Sequence, residues 1–185
     1  MRSALILTML LAAPRMSATE VLKARDAEVR ALLPKPGDEL SPSKRDQIES
    51  VLIRTVDLDV MAKEALGKNW EQQPPAKRKQ FMQAFRSRFK ALTGDQIASY
   101  RESKTEFLPE QKDGGDRVIV PTVLVVKGEP THVNYKMQPT GDSWKIVDII
   151  IDDVSTVENY RASFSKVIAQ EGFDALIHKL ANKKS

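Results

Sequence analysis

The chain reads as an α+β domain: a curved antiparallel sheet of about four strands with helices packed on one face. Three observations predict this class. Apolar residues recur at helical spacing up to about residue 100, alternate between 105 and 152, and return to helical spacing from 155 onward. Glycine-bearing turns at Gly114-Gly115, Gly128 and Gly141-Asp142 separate the alternating runs, as hairpins require. The run from Trp144 to Ile151 is apolar at nearly every position, so it needs cover on both sides.

The elements follow in order. Residues 19–33 predict an amphipathic helix with Val21, Leu22, Val29, Leu32 and Leu33 as apolar positions, ended by Pro34, Pro36 and Gly37. Ser41-Pro42 opens the next helix, whose apolar side is Ile48, Val51, Leu52 and Val56. Asp57 is an N-cap for a short helix to Leu66, closed by Gly67. Pro74-Pro75 starts a longer helix striped by Phe81, Phe85, Phe89 and Leu92. Gly94 interrupts it before a second segment with Ile97 and Tyr100. Strands are expected at Thr105–Leu108, Arg117–Val126, Thr131–Met137 and Ser143–Asp152. Pro121 argues that the second of these is an edge strand or is bulged.

In the last strand, simple alternation points Trp144, Ile146 and Ile150 one way and Val147, Ile149 and Ile151 the other. Ser155 then stands three residues before Glu158, a capping box. Two helices close the chain, Ser155–Gln170 and Asp174–Leu180, separated by Gly172.

Composition narrows the function classes. At 185 residues, 41% hydrophobic and 29% charged, the chain suits one folded domain with at most a small helical lobe. Its net charge of +4 is spread along the chain and interleaved with acids, unlike the basic stripe with aromatic platforms that nucleic acid requires. There is no cysteine, which excludes disulfides, thiolate nucleophiles and cysteine metal sites. Arg2, the apolar run Ala4–Ala13 and the small residues Ser17-Ala18 read as a secretory signal peptide over residues 1–18, leaving 19–185 as the mature domain. That run is shorter than the roughly 20 residues a membrane span needs. The competing reading is an N-terminal core helix or an uncleaved tether. Removing 1–18 takes away Arg2 and Arg15 and no acid, lowering the net charge to +2.

Several motifs fall in one order: VDLDVMAKEALGKNW (56–70), the phenylalanine helix after Pro75, GGDRVIVPT (114–122), VNYKM (133–137), WKIVDIIIDDVS (144–155), ENYRASF (158–164) and GFDALI (172–177). Together they resemble the MlaC family of periplasmic phospholipid-binding proteins, also called toluene-tolerance auxiliary proteins, over about residues 45–180. The tryptophan strand followed by Asn159-Tyr160-Arg161 and Phe164 carries most of the likeness, with Met61-Ala62 and Ala65-Leu66-Gly67 in support. Departures fall at Val56 and Leu58, where the family has aromatics, at Asn134 and Lys136 around Tyr135, at Asp153 in place of a glycine, and at Thr93-Gly94. They bear on pocket shape, lipid preference and docking rather than on fold.

The resemblance implies a cone of sheet and helices around a deep apolar pocket that holds the acyl chains of a phospholipid. It implies a carrier in the periplasm, working between an outer-membrane lipoprotein complex and an inner-membrane ABC transporter complex with its substrate-binding ring protein. No cofactor, metal or catalytic residue is implied. The pocket walls expected on this basis are Met61, Leu66, Phe81, Phe85, Phe89, Val120, Val133, Tyr135, Ile149, Ile151, Val157, Tyr160 and Phe164. Gly67, Gly94 and Gly172 are candidate hinges. Binding of another apolar solute, a sterol-like lipid or a quinone, is the alternative.

An enzyme on the same scaffold is the third reading, and the residues give it little. His132 and His178 have no metal or triad context. Asp152-Asp153 reads as loop and helix-start charge. Asp148, inside an apolar strand, calls for a structural partner such as Arg161 or Lys145.

Overall fold

The computed structural model describes residues 16–35 and 38–182. Six α-helices and one antiparallel sheet are present among them. Helices α1 (Ala18–Leu32), α2 (Pro42–Thr55), α3 (Leu58–Leu66) and α4 (Pro75–Arg101) precede the sheet, and α5 (Thr156–Glu171) and α6 (Phe173–Asn182) follow it. The four expected strands are β1 (Ser103–Phe107), β3 (Val118–Val126), β4 (Glu129–Thr140) and β5 (Ser143–Ile151). Two-residue strands β2 (Gln111–Lys112) and β6 (Val154–Ser155) bring the sheet to six. The order is β1-β3-β4-β5-β6, with β2 continuing the β1 edge of β3.

Three local expectations are corrected. Gly94 does not interrupt α4, which runs unbroken for 27 residues. A helical glycine costs only about 1 kcal/mol against alanine, and buried Phe85 and Ile97 anchor the helix on either side. Pro121 lies in an interior strand, not at an edge. Its carbonyl accepts from Leu108 N, so its nitrogen also faces the β1–β2 side, where the loop between those strands leaves no ladder bond to lose.

The third correction concerns β5. Tyr135 pairs with Ile149 and Lys136 with Asp148, but Met137 pairs with Ile146, so Val147 is an extra residue, a β-bulge. The bulge resets the alternation. Ile146 now shares a face with Ile149 and Ile151, opposite Met137, Tyr135 and Val133 respectively.

Asp148 is 5% exposed and finds partners other than the expected Arg161 or Lys145. Its carboxylate accepts from Ser155 Oγ at 2.5 Å and from Val157 N at 3.0 Å, while Ser155 Oγ accepts from Glu158 N. A buried carboxylate thus satisfies the first turn of α5, where the helix dipole favours it. Arg161 instead donates from Nε to the Glu64 carbonyl at the C-terminal turn of α3, and it lies over Gly67. Gly67 adopts φ +53°, and a Cβ there would stand 3.4 Å from the arginine side chain, so the Ala65-Leu66-Gly67 and Asn159-Tyr160-Arg161 motifs are one packing unit.

The Asp152-Asp153 pair is the two-residue turn of the β5–β6 hairpin, with φ of +45° and +66°. Asp152 also accepts from His132 N at 3.0 Å. Residues 1–15 of the expected signal segment lie outside the described residues. Its last residues are part of the fold: Ser17 caps α1 in a capping box with Glu20, Ala18 is fully buried, and the Met16 carbonyl accepts from Trp144 Nε1 at 3.0 Å.

Two substitutions check these assignments by urea unfolding. Asp148→Ala strands Val157 N and the Ser155 hydroxyl and should cost about 2–3 kcal/mol. Asp153→Gly relieves a left-handed aspartate in a turn that favours Asp-Gly and should add roughly 0.5–1 kcal/mol.

Candidate functional site

Two hydrophobic clusters form, and they do not merge. The larger joins α3, α5, α6, the start of α4, the start of α1 (Ala18 and Leu22), Val56 at the end of α2 and the sheet around Met61, Leu66, Phe81, Met137 and Ile146. The smaller joins α1, α2 and the end of α4 through Val29, Ile48, Val51 and Ile97. Between them lies an apolar cavity of about 270 Å³. The helical side contributes Leu22 and Val29 from α1, Ile48 and Leu52 from α2 with Val56 at its C-cap, and Phe89 and Ile97 from α4. The sheet contributes Phe107, Leu124, Val133, Tyr135, Ile146, Ile149 and Ile151. Ile151 is 46% exposed and marks the rim.

The three β5 residues reach this wall only because of the bulge. Without it, Ile146 and Ile149 would point to opposite faces.

One side of the cavity is polar. Arg30 donates to Asp26 at 2.8 Å, to the Ser103 carbonyl at 2.9 Å and to Thr105 Oγ1 at 2.9 Å, and its guanidinium stacks on Tyr100. The Tyr100 hydroxyl and Thr105 Oγ1 both donate to Asp26. This network ties α1, the end of α4 and β1 together beside the cavity. Burial raises the Tyr100 phenol, and its bond to the Asp26 carboxylate raises it further. Burial, with the Asp26 charge nearby, pushes Tyr135 up to about 12. Burial also raises Tyr160.

Of the residues expected to wall a pocket, Phe89, Val133, Tyr135, Ile149 and Ile151 line the cavity. Met61, Leu66, Phe81, Phe85, Val120, Val157, Tyr160 and Phe164 instead belong to the larger cluster. Phe81, Phe85, Tyr160, Phe164 and Phe173 pack ring on ring there, with centroids 5.2–6.4 Å apart. Aromatic rings that satisfy one another leave no space between them.

The walls supplied by α1, α2 and β1 were not expected. A signal was available in α1, where Arg25 and Asp26 interrupt the apolar stripe from Leu22 to Val29, as a polar spot in a pocket wall would. Among the described residues, no group of acidic and histidine side chains is arranged to hold a metal ion.

Residues 27–182 match the family model described as MlaC protein. No curated protein sequence matches the chain. Among solved structures, the chain resembles a phospholipid-binding protein from Ralstonia solanacearum, determined in complex with a phospholipid. Identity is 20%, the match covers 89% of this chain and 95% of that one, and the TM-score is 0.73.

The tyrosines give a direct test of how enclosed this region is. All three in the sequence are raised above the ordinary phenol range. A raised phenol keeps its proton longer in the native state than in the unfolded chain. The stability it contributes is therefore fully present below about pH 10 and is lost as pH rises through the folded value. Tyrosinate absorbance should stay flat through pH 10 and then appear together with loss of the circular dichroism signal. Titration of one tyrosine near pH 10 in folded protein would contradict this.

Proposed function

The chain belongs to the MlaC family, and from that premise we propose that it is a periplasmic carrier that buries the acyl chains of a phospholipid in the cavity beneath β4 and β5. The observation that carries this reading is the cavity itself: an apolar space with an apolar rim, walled by five of the residues that the family resemblance implied. The phospholipid held by the Ralstonia protein of the same fold supports it.

The physical demands of such a carrier fit the architecture. Each buried methylene contributes about 0.8 kcal/mol, so two sixteen-carbon chains gain roughly 20 kcal/mol. Release into water would then be too slow to be useful, and the lipid must pass to another apolar site while the carrier is docked. In the reading proposed here, those sites belong to an outer-membrane lipoprotein complex and an inner-membrane ABC transporter complex with its ring protein. Ile151 and Val154, 46% and 60% exposed, lie together at the rim, where an apolar handover needs them.

At about 270 Å³ the cavity is below the usual range of roughly 300–1,000 Å³ for ligand pockets. Two acyl chains therefore require widening. The small cluster holds the second half of α1 and most of α2, so that side can yield while the aromatic cluster, to which Ala18, Leu22 and Val56 also belong, stays packed. The same volume favours, as a second reading, a smaller apolar solute such as a quinone or a sterol-like lipid. No catalytic step is assigned. Asp148, the most unusual acid in the sequence, is occupied in capping α5.

Export is part of the proposal. Because Ser17 and Ala18 are built into α1, we place any cleavage ahead of Met16 rather than after Ala18.

Native mass spectrometry of the exported protein, followed by lipid extraction, tests the reading and fixes the new N-terminus. A phospholipid mass is expected; a quinone or sterol mass selects the second reading. Ile149→Trp, which fills the middle of the cavity, should lower phospholipid uptake from vesicles at least tenfold while leaving stability unchanged or raised by about 0.5–2 kcal/mol, because it fills a void rather than overpacking a core. Protein that purifies empty and takes up no phospholipid overturns the proposal.

A further inference from the structure

Six polar side chains line the cavity: Arg25, Asp26, Thr55, Tyr100, Thr105 and Tyr135. Five are occupied within the protein. Arg25 binds Glu28 at 3.0 Å, and Thr55 Oγ1 donates to the Val51 carbonyl at 2.7 Å. Asp26, Tyr100 and Thr105 belong to the network around Arg30. Tyr135 differs: among the described residues its hydroxyl has no hydrogen-bond partner, and it remains open to the cavity. Since no buried side-chain polar atom lacks a partner among the described residues, this hydroxyl is reachable from the cavity, and an acceptor that enters the space can take its hydrogen bond.

Tyr135 also stands at an informative depth. Val133 and Ile151 pair at the level of the rim, and Tyr135 and Ile149 pair two residues further along the same strands. At about 3.3 Å per residue, the Tyr135 backbone stands about 7 Å along the strand from the rim pair, and its side chain enters the cavity from there. An acyl chain lying deeper, with a head group at the rim, brings its ester linkage to this level.

Resting on the phospholipid reading, we infer that the Tyr135 hydroxyl donates a hydrogen bond to the ester carbonyl of the bound lipid, and that this cavity selects neutral acyl esters over free fatty acids. The charges around the phenol support the second half. Arg25 shares Glu28 with Arg54 and Arg30 is paired with Asp26, so each nearby guanidinium already faces a carboxylate, and Asp26 is the charge that acts on the phenol. A fatty-acid carboxylate would meet burial and the negative field of Asp26, while an ester carbonyl carries no charge to bury. The same burial and the same carboxylate keep the phenol protonated, hence a donor, throughout the physiological range.

The test compares dipalmitoyl phosphatidylcholine with its dihexadecyl ether analogue, which lacks the carbonyls, in vesicle uptake by the wild-type protein and by Tyr135→Phe. The wild type should favour the ester about three- to tenfold, the value of one hydrogen bond. Tyr135→Phe should take up the two lipids equally and unfold at an unchanged urea midpoint, because it loses no bond within the protein. Palmitate at pH 7 should bind the wild type at least tenfold more weakly than the ester lipid. No ester preference in the wild type, or a preference that survives in Tyr135→Phe, overturns the hydrogen bond; palmitate binding as tightly as the ester lipid overturns the selection against free acids. A wild type that takes up neither phospholipid overturns the carrier reading on which both stand.

Discussion

The extra residue in β5 sets the geometry of everything around it. Because Val147 has no partner on β4, the strand changes face between Ile146 and Asp148. On one side of that change, Ile146, Ile149 and Ile151 line up as a continuous apolar wall. On the other, Asp148 is turned into the protein, where it would be an isolated buried charge if α5 did not begin beside it. The carboxylate needs the helix N-terminus, and the helix N-terminus needs an acceptor. The bulge also leaves the Ile146 carbonyl accessible at the strand edge, where Asp57 N binds it at 2.8 Å as the chain passes from α2 to α3. One inserted residue therefore fixes the cavity wall, the start of α5 and the seam between the two helical groups.

The cavity follows from how the remaining apolar residues are shared out. The rings of α4, α5 and α6 pack against one another, and so are spent at one end of the sheet. The other end is covered by α1 and α2, which hold together through a four-residue cluster of their own with α4. Between these centres the sheet offers valine, isoleucine and tyrosine, and the helices offer leucine, valine and isoleucine, which do not meet across the gap. Beside the apolar packing of that small cluster, hydrogen bonds around Arg30 and Asp26 fasten the lobe of α1 and α2 to β1 and to the end of α4. Directional bonds of this sort hold a wall in place without filling the space behind it.

Much of this was legible in the residues. The periodicity separated helices from strands, the N-caps Ser41, Asp57 and Ser155 and the C-cap Gly67 are where the sequence put them, and the motif order pointed to the family. What escaped were features that depend on a neighbouring chain segment. Strict alternation along β5 could not reveal the bulge, because the shift is defined only against β4. Pro121 read as an edge residue because the gap between β1 and β2 that accommodates it is not visible from its own strand. The phenylalanines at helical spacing looked equally suited to a core or a pocket. Partners from α5 and α6 decided for core in Phe81 and Phe85, while Phe89, one turn further on and beyond those rings, faces the cavity.

A space of this size in an apolar interior is itself an energetic statement. At about 24 cal/mol per Å³, a dry void of 270 Å³ would cost on the order of 6 kcal/mol, a large part of the 5–15 kcal/mol that typically holds a domain together. The opening at Ile151 reduces that cost but does not remove the loss of packing contacts along the walls. Larger side chains at Val133, Ile149 or Leu52 would recover it, and a protein whose only requirement was stability would have little reason to keep them small. The network around Arg30 works in the same direction, since it pins the second half of α1 against β1 at one side of the space by directional bonds rather than by side chains that fill it. A fold that keeps apolar walls apart and braces them with polar bonds is stabilised by whatever apolar molecule enters, in proportion to the surface that molecule covers. Occupancy and stability are thus coupled in this architecture, and the empty form is the less stable of the two.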